Sequence, residues 1–221
     1  MKDGLMPTLD LAAREDRVSS HLPFSAKVTE NVVSTRGGDY MSTWSITGLS
    51  FESLSYAEAY AKMEALNLLV RSLSNGKYAF WVHRIRRIAG DVLSVPEAGF
   101  PQRFLQKYYD RLAEGGMMST EIFLTVIYRP QPQRATGVLG KIGRTLQDVA
   151  HEQDATLDIM ESLHQQVCRT LDAYGPERLG DYEHNAIRYS RQLEFYSYLL
   201  NGHWWRIPVK DVPLYLSLIH I

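Results

Sequence analysis

Cysteine is almost missing from this chain. Cys168 is the one thiol among 221 residues, which excludes an internal disulfide and fits a reducing compartment such as the cytoplasm. No segment approaches the roughly 20 consecutive apolar residues that a membrane-spanning helix needs. The opening residues, MKDGLMPTLDLAARED, carry Asp3, Asp10, Glu15 and Asp16 and no long apolar core, so they read as neither a signal peptide nor a membrane anchor. Neither sign of charge is in excess. A formal net charge of −1 and a pI near 6.7 create no overall basic field for nucleic acid or anionic lipid.

Catalytic wording is equally scarce. The nearest approach is Ala135-Thr136-Gly137-Val138-Leu139-Gly140-Lys141-Ile142, between an apolar strand and a helix, where a phosphate-binding loop would sit. That loop requires GxxxxGK followed by Ser or Thr, because glycine lets the backbone wrap the phosphates and the hydroxyl ligates magnesium. Here Ala135 replaces the first glycine and Ile142 the hydroxyl, so the segment reads as a connector. His151-Glu152 lacks the second histidine of HExxH, and no Gly-x-Ser-x-Gly elbow occurs. His164 and Cys168 lie one helical turn apart, but a closed zinc site needs four ligands and no second pair is visible, so they read as helix packing. His83 with Arg84, Arg86 and Arg87 offers positive charge to an acidic partner or a phosphate, with a solvated strand end as the plainer reading. Trp204-Trp205 offers an exposed anchor or, more plainly, the edge of a core. No catalytic, cofactor-binding or metal-binding residue is assigned.

What is present is the pattern of a globular α/β chain. Hydrophobic residues make up 45% and charged residues 22%, enough over this length to bury roughly two-thirds of the unfolded surface. Residues 26–35 are rich in Val and Thr and read as one strand, Arg36-Gly37-Gly38-Asp39 as a tight reversal, and 40–47 as a second strand. In that second strand Tyr40, Trp44 and Ile46 alternate with Met41, Thr43 and Ser45, the pattern of a half-buried strand. Residues 55–73 read as a helix with a broad apolar stripe including Tyr60, Met63, Leu66, Leu69, Val70 and Leu73, ended by Asn75-Gly76. Residues 77–88 read as a strand with an aromatic, buried start and a basic, solvated end. A helix over 100–114, stopped by Gly115-Gly116, precedes a strand over 121–129 whose two apolar faces mark it as central. After the Pro/Gly-bearing connector 131–143, helices are expected over 144–173, up to the break at Gly175-Pro176, and over 189–201, up to Gly202. The acidic residues Asp148, Glu152, Asp154, Asp158 and Glu161 of the longer helix read as its solvated face. This order predicts an α/β (α+β) fold with an open, mostly antiparallel sheet, packed helices, ferredoxin-like elements and long C-terminal helices.

Several of these words also occur together, in order, in one family. His21-Leu22-Pro23-Phe24, Val28-Thr29 with Asn31-Val32-Val33, Gly38-Asp39-Tyr40 and Gly48-x-Ser50-Phe51-Glu52 resemble the start of the type IV secretion system ATPases of the CagE, TrbE and VirB family. Leu171-x-x-Tyr174-Gly175-Pro176, Leu179-Gly180, Leu193-Glu194-Phe195 and Tyr198-Leu199-Leu200-Asn201-Gly202 continue the resemblance. The resemblance implies an N-terminal region without nucleotide-binding motifs, followed in the parent protein by a motor that uses ATP and Mg. It implies a cytoplasmic protein peripheral to the bacterial inner membrane. Its expected partners are inner-membrane secretion subunits, other secretion ATPases and further copies of itself, with no direct membrane span and no nucleic-acid binding. The activity implied for the parent is ATP hydrolysis that drives pilus assembly and export of DNA and protein. A stand-alone adaptor without a motor is the alternative, and a reading frame that runs on into a GxxxxGK[ST] unit distinguishes the two.

On this reading the chain divides into an extension (1–20), a sheet domain (21–130), the connector (131–143), a helical part of the same region (144–215) and a terminal hexapeptide (216–221). The hexapeptide Leu216-Ser217-Leu218-Ile219-His220-Ile221 is the translation of CTG TCT CTT ATA CAC ATC, the transposase mosaic end used as a sequencing adapter. It therefore reads as adapter read-through, with the native sequence expected to continue after Tyr215.

Overall fold

The computed structural model describes residues 22–50, 52, 54–88, 99–114, 116, 118–130 and 146–210. The extension, the connector with its loop-like Ala135 to Ile142, and the terminal hexapeptide lie outside the described residues. The elements in chain order are β1 (Phe24–Thr29), β2 (Val32–Thr35), β3 (Tyr40–Ile46), α1 (Tyr56–Ser72), β4 (Tyr78–Ile88), α2 (Phe100–Glu114), β5 (Met118–Tyr128), α3 (Leu146–Thr170), a 3-10 turn (Asp172–Tyr174), β6 (Pro176–Arg178), β7 (Asp181–His184), β8 (Ile187–Ser190) and α4 (Arg191–Asn201). One sheet runs β1-β2-β3-β5-β4, with β6 also paired to β3, and β7 and β8 form a separate hairpin. The mixed α/β class expected from the sequence is what the chain adopts. It divides into two compact units, one of residues 1–42, 127–143 and 179–221, the other of 43–126 and 144–178.

In the first unit the single strand expected over 26–35 is two antiparallel strands. They turn at Glu30 and Asn31, with Thr29 opposite Val32. The Thr29 hydroxyl donates to the Asn31 side-chain oxygen (3.3 Å) and the Ser42 hydroxyl to the Asn31 carbonyl (2.7 Å). Asparagine suits such a two-residue reversal, but Val28, Val32 and Val33 on either side kept the β-forming signal continuous. The second reversal falls where expected. Gly38 adopts a φ of 83°, and the Thr35 N–H donates to the Asp39 carbonyl at 2.8 Å. A side chain at that φ would be strained.

The same unit holds the second departure from expectation. Within the stretch 144–215 read as a helical part, the chain forms β7 and β8, and α4 begins at Arg191 rather than at Tyr189. The β7–β8 turn places Asn185 and Ala186 at φ of 52° and 59°, the geometry of a two-residue hairpin turn that normally carries glycine. Ala186 hid this turn from the sequence pattern. Ser190 to α4 is then drawn inward: Gln192 to Ser197 are buried without interruption. The Gln192 side-chain amide donates to the Met41 carbonyl (3.3 Å) and the Tyr196 hydroxyl (3.0 Å). The Tyr182 hydroxyl donates to the Glu194 carboxylate at 2.7 Å. Phe24 stacks on Tyr196 with ring centroids 4.4 Å apart. Gln192 and Glu194 are tolerated inside because the Gln192 amide N–H groups and the Glu194 carboxylate have partners, while among the described residues Ser190 Oγ and Gln192 Oε1 are buried without one.

In the second unit β5 is the central strand its sequence predicts, buried from Phe123 to Tyr128. β3 is more buried than its alternation suggested, since Met41, Ser42, Thr43 and Trp44 are all covered. The polar members are satisfied within the core, and the Thr43 and Thr125 hydroxyls share a hydrogen bond of 2.8 Å. Pro176 does end the helical region, but it opens β6, which pairs antiparallel with β3 through Trp44 and Arg178. Just before it, Gly175 has a φ of 58°, and a Cβ there would meet the Thr47 hydroxyl at 3.0 Å. α3 buries Thr156, Met160, Leu163 and Val167, one stripe at helical spacing.

α1 opens on a capping box. Ser55 accepts from the Glu58 N–H, and the Glu58 carboxylate accepts from the Ser55 N–H at 2.9 Å. Its burial is not what the sequence suggests. Leu69 is the buried residue of the helix and Leu73 follows just past its end, while most of the apolar stripe faces outward. α1 meets α3 along this narrow contact, where the Gln166 amide donates to the Ser72 hydroxyl at 2.6 Å.

Candidate functional site: an interaction surface

His164 and Cys168, weighed as metal ligands, resolve into packing. His164 lies on α3 with its Nδ1 accepting from the Trp44 indole N–H at 3.2 Å, so the neutral ring carries its proton on Nε2. The Cys168 sulfur is 3.5 Å from the same nitrogen. Arg178 sits over the Trp44 ring at 5.8 Å and pairs with Glu161 at 2.8 Å. Burial, and then the charge of Arg178, hold His164 below its usual pKa, while burial pushes the Cys168 thiol up. An unactivated thiol beside a neutral imidazole that is already hydrogen-bonded is a structural cluster. Among the described residues no group of three or more His, Cys, Asp or Glu is placed to hold a metal ion. His151 and Glu152 are exposed on α3.

His83 is half-buried on β4, edge-on to Trp81, and burial lowers its pKa. Arg84 and Arg86 are exposed, and Arg87 pairs with Glu121 of β5. The four basic groups are not gathered round one point, because successive strand residues alternate between faces. The aromatic start of β4 is less buried than expected, with Trp81 partly exposed and Val82 open to solvent. Trp204 packs on Tyr198, ring centroids 5.1 Å apart, and Trp205 is more exposed. Trp204 thus sits at the edge of a core, while Trp205 lies outside it.

The sequence reading missed one charged cluster. The Lys27 ammonium and the Arg188 guanidinium both pair with Asp181, Arg188 at 2.7 Å, and the Asp181 side chain is almost wholly buried. Burial lowers the Lys27 pKa despite that partner. The cluster ties β1 to the β7–β8 hairpin. The partners are 154 residues apart in the chain, so no local spacing announces them. Tyr182 is its neighbour in sequence, and burial together with the Glu194 hydrogen bond pushes its hydroxyl up to about 12.

What remains open is apolar. α1 exposes Tyr56, Tyr60, Met63, Leu66, Leu68 and Val70, and Tyr56 is 88% exposed. α2 exposes Phe104 and Tyr108, and β4 exposes Val82 and Ile88. Large apolar side chains grouped on one element mark a contact surface more often than scattered ones do. No helix among the described residues is long and apolar enough to cross a membrane.

Residues 31–136 match the family described as type IV secretion system ATPase VirB4/TrbE, N-terminal domain. The chain belongs to this family. It is 34% identical over 210 residues to the type IV secretion system protein virB4 of Brucella suis, covering 90% of this chain and 25% of that protein. It is 30% identical over 218 residues to the type IV secretion system protein PtlC of Bordetella pertussis, covering 94% of this chain and 26% of the other. Against the protein virB4 of Agrobacterium fabrum the identity is 26% over 206 residues, 90% of this chain and 25% of the relative. The chain therefore spans about a quarter of the length of the curated relatives it matches. The resemblance carried by the scattered words of the sequence is the family that the comparisons show.

Proposed function

We propose that this chain is the docking and assembly region of a type IV secretion ATPase, holding the machine to its partners while a separate motor hydrolyses ATP. The observation that carries this reading is the apolar surface of α1, which projects from a capped helix and is left uncovered, in a chain matching the N-terminal domain of this family. The partners proposed are inner-membrane subunits of the same system, other secretion ATPases and further copies of the chain. Docking at the cytoplasmic side of the inner membrane then proceeds through protein contact. ATP and Mg belong to the parent's motor, whose work would be pilus biogenesis and export of DNA and protein.

Two measurements test this reading. Co-expression with the other secretion subunits, followed by membrane fractionation, is expected to raise the membrane-bound share of the chain. Equal recovery with and without them overturns docking. Calorimetric titration with Mg-ATP is expected to show no saturable heat. Micromolar binding that vanishes in Lys141→Ala would make the loop-like segment a nucleotide site and replace the reading with an enzymatic one.

A further inference from the structure

Among the described residues β4 is the last strand of the large sheet, with β5 on its inner side and no strand on its outer side. No backbone group from Arg84 to Ile88 bonds to a described residue outside the sheet. Such an edge is a row of N–H and C=O groups onto which a further strand can be added. Side chains alternate between the faces of a strand, so Val82, Arg84, Arg86 and Ile88 share one face, and all four are exposed. His83 and Ile85, on the opposite face, are half-buried. Arg87 lies on that side too and pairs with Glu121 of β5. The open face therefore runs apolar, basic, basic, apolar, and among the described residues neither Arg84 nor Arg86 has an acidic partner.

These charges decide the occupant. The β4 edge of a second copy, in register, would set arginine against arginine in either direction, and like charges directly opposite are unfavourable. A nucleic acid would meet the two guanidinium groups but leave the edge amides and both apolar ends unused, and a net charge of −1 supplies no field to draw one in. An extended acidic segment meets every part. Its backbone continues the ladder, carboxylates at two alternate positions lie across from Arg84 and Arg86, and apolar residues two positions beyond them lie across from Val82 and Ile88. Basic residues on an edge keep like edges away and select their opposite.

We propose that the outer edge of β4 takes up an extended segment of a partner protein as an added strand, with acidic residues at alternate positions facing Arg84 and Arg86. The proposal rests on the docking reading and gives it a contact on a different element from α1, with a partner of stated chemistry.

The probe is the fluorescein-labelled peptide Val-Thr-Glu-Thr-Glu-Thr-Val, which reads the same in both directions and so suits either strand orientation. Its anisotropy is expected to saturate on titration with the full chain, with a dissociation constant of about 100 µM. Arg84→Glu with Arg86→Glu, two exposed positions, is expected to leave the circular dichroism spectrum unchanged, to weaken this binding at least about tenfold, and to favour Val-Thr-Lys-Thr-Lys-Thr-Val instead. Replacing the three threonines by prolines keeps the charge of the peptide but removes donors to the ladder, and is expected to abolish binding. No saturation up to about 2 mM overturns this inference alone, since the docking reading is decided separately by recovery of the chain with membranes on co-expression. Binding retained by the proline peptide, or unchanged in the folded charge-reversed chain, also overturns it. Arg84→Gln with Arg86→Gln replaces the reversed chain if that one does not fold, and is expected to weaken binding in the same direction. Tighter binding of an oligothymidine of about 20 nucleotides through the same two arginines overturns the added strand and makes the edge a nucleic-acid contact.

Discussion

α1 and α4 invert the usual expectation of which helix belongs inside. α1, YAEAYAKMEALNLLVRS, is the more apolar, yet Leu69 is its buried residue. α4, RQLEFYSYLLN, opens with a charge and carries Gln192 and Glu194, yet six successive residues of it are buried. Composition did not decide the difference. The Gln192 amide N–H and the Glu194 carboxylate of α4 have partners, namely the Met41 carbonyl, the Tyr196 hydroxyl and the Tyr182 hydroxyl, with Gln192 Oε1 alone left without one, and Phe195 and Tyr196 are buried beside them. α1 touches α3 along a narrow contact and stands on its own cap. A helix is interior when its surroundings cover its apolar side chains and meet most of its polar groups, and an apolar side without such surroundings remains surface.

The largest test of this contrast deletes one aromatic ring from each helix. Phe195→Ala is expected to cost about 3–5 kcal/mol of unfolding free energy through a core cavity, whereas Tyr60→Ala, at low protein concentration, is expected to change it by no more than about 0.5 kcal/mol. Urea denaturation of the two variants measures both, and equal losses would break the comparison. Next, Gln192→Ala is expected to cost about 1–3 kcal/mol, because the buried Met41 carbonyl and Tyr196 hydroxyl lose a donor. If stability is retained, the polar pairing is not what admits α4 to the interior.

Smaller effects sharpen the contrast at the ends of the two helices. Ser55→Ala removes the capping box of α1 and is expected to cost about 1 kcal/mol, read most directly as faster amide exchange in the first turn of α1. Unchanged exchange would show that contact with α3, rather than the local cap, holds the helix. Ala186→Gly, in the hairpin that leads into α4, is expected to stabilise the protein by about 0.5–1 kcal/mol by relieving a left-handed alanine. A loss of thermal stability in this variant would show that the turn is not strained.

Much was legible in the residues themselves. The reversal at Gly38, the central strand read over 121–129 and the helices read over 55–73, 100–114 and 189–201, the last of which begins at Arg191, follow from local rules that act over a few residues. The turn at Glu30-Asn31 and the hairpin at Asn185-Ala186 escaped because neither carries glycine, and the hairpin is held by a partner distant in the chain. Asp181 escaped for the same reason, since Lys27 becomes its neighbour only through folding. The words shared with the VirB4/TrbE family were legible too, being a record of identity that needs no geometry.

The sequence by itself determined that residues 55–73 form a helix with an apolar stripe, and that the stretch beginning at Tyr189 holds another. Only the tertiary structure decided that the first keeps most of its stripe uncovered and the second is enclosed. Periodicity reports which side chains share a face of a helix, because that depends on backbone geometry alone. Whether the face is covered depends on segments far away in the chain, and on whether their carbonyls and hydroxyls meet the polar groups carried inward, which no local pattern encodes.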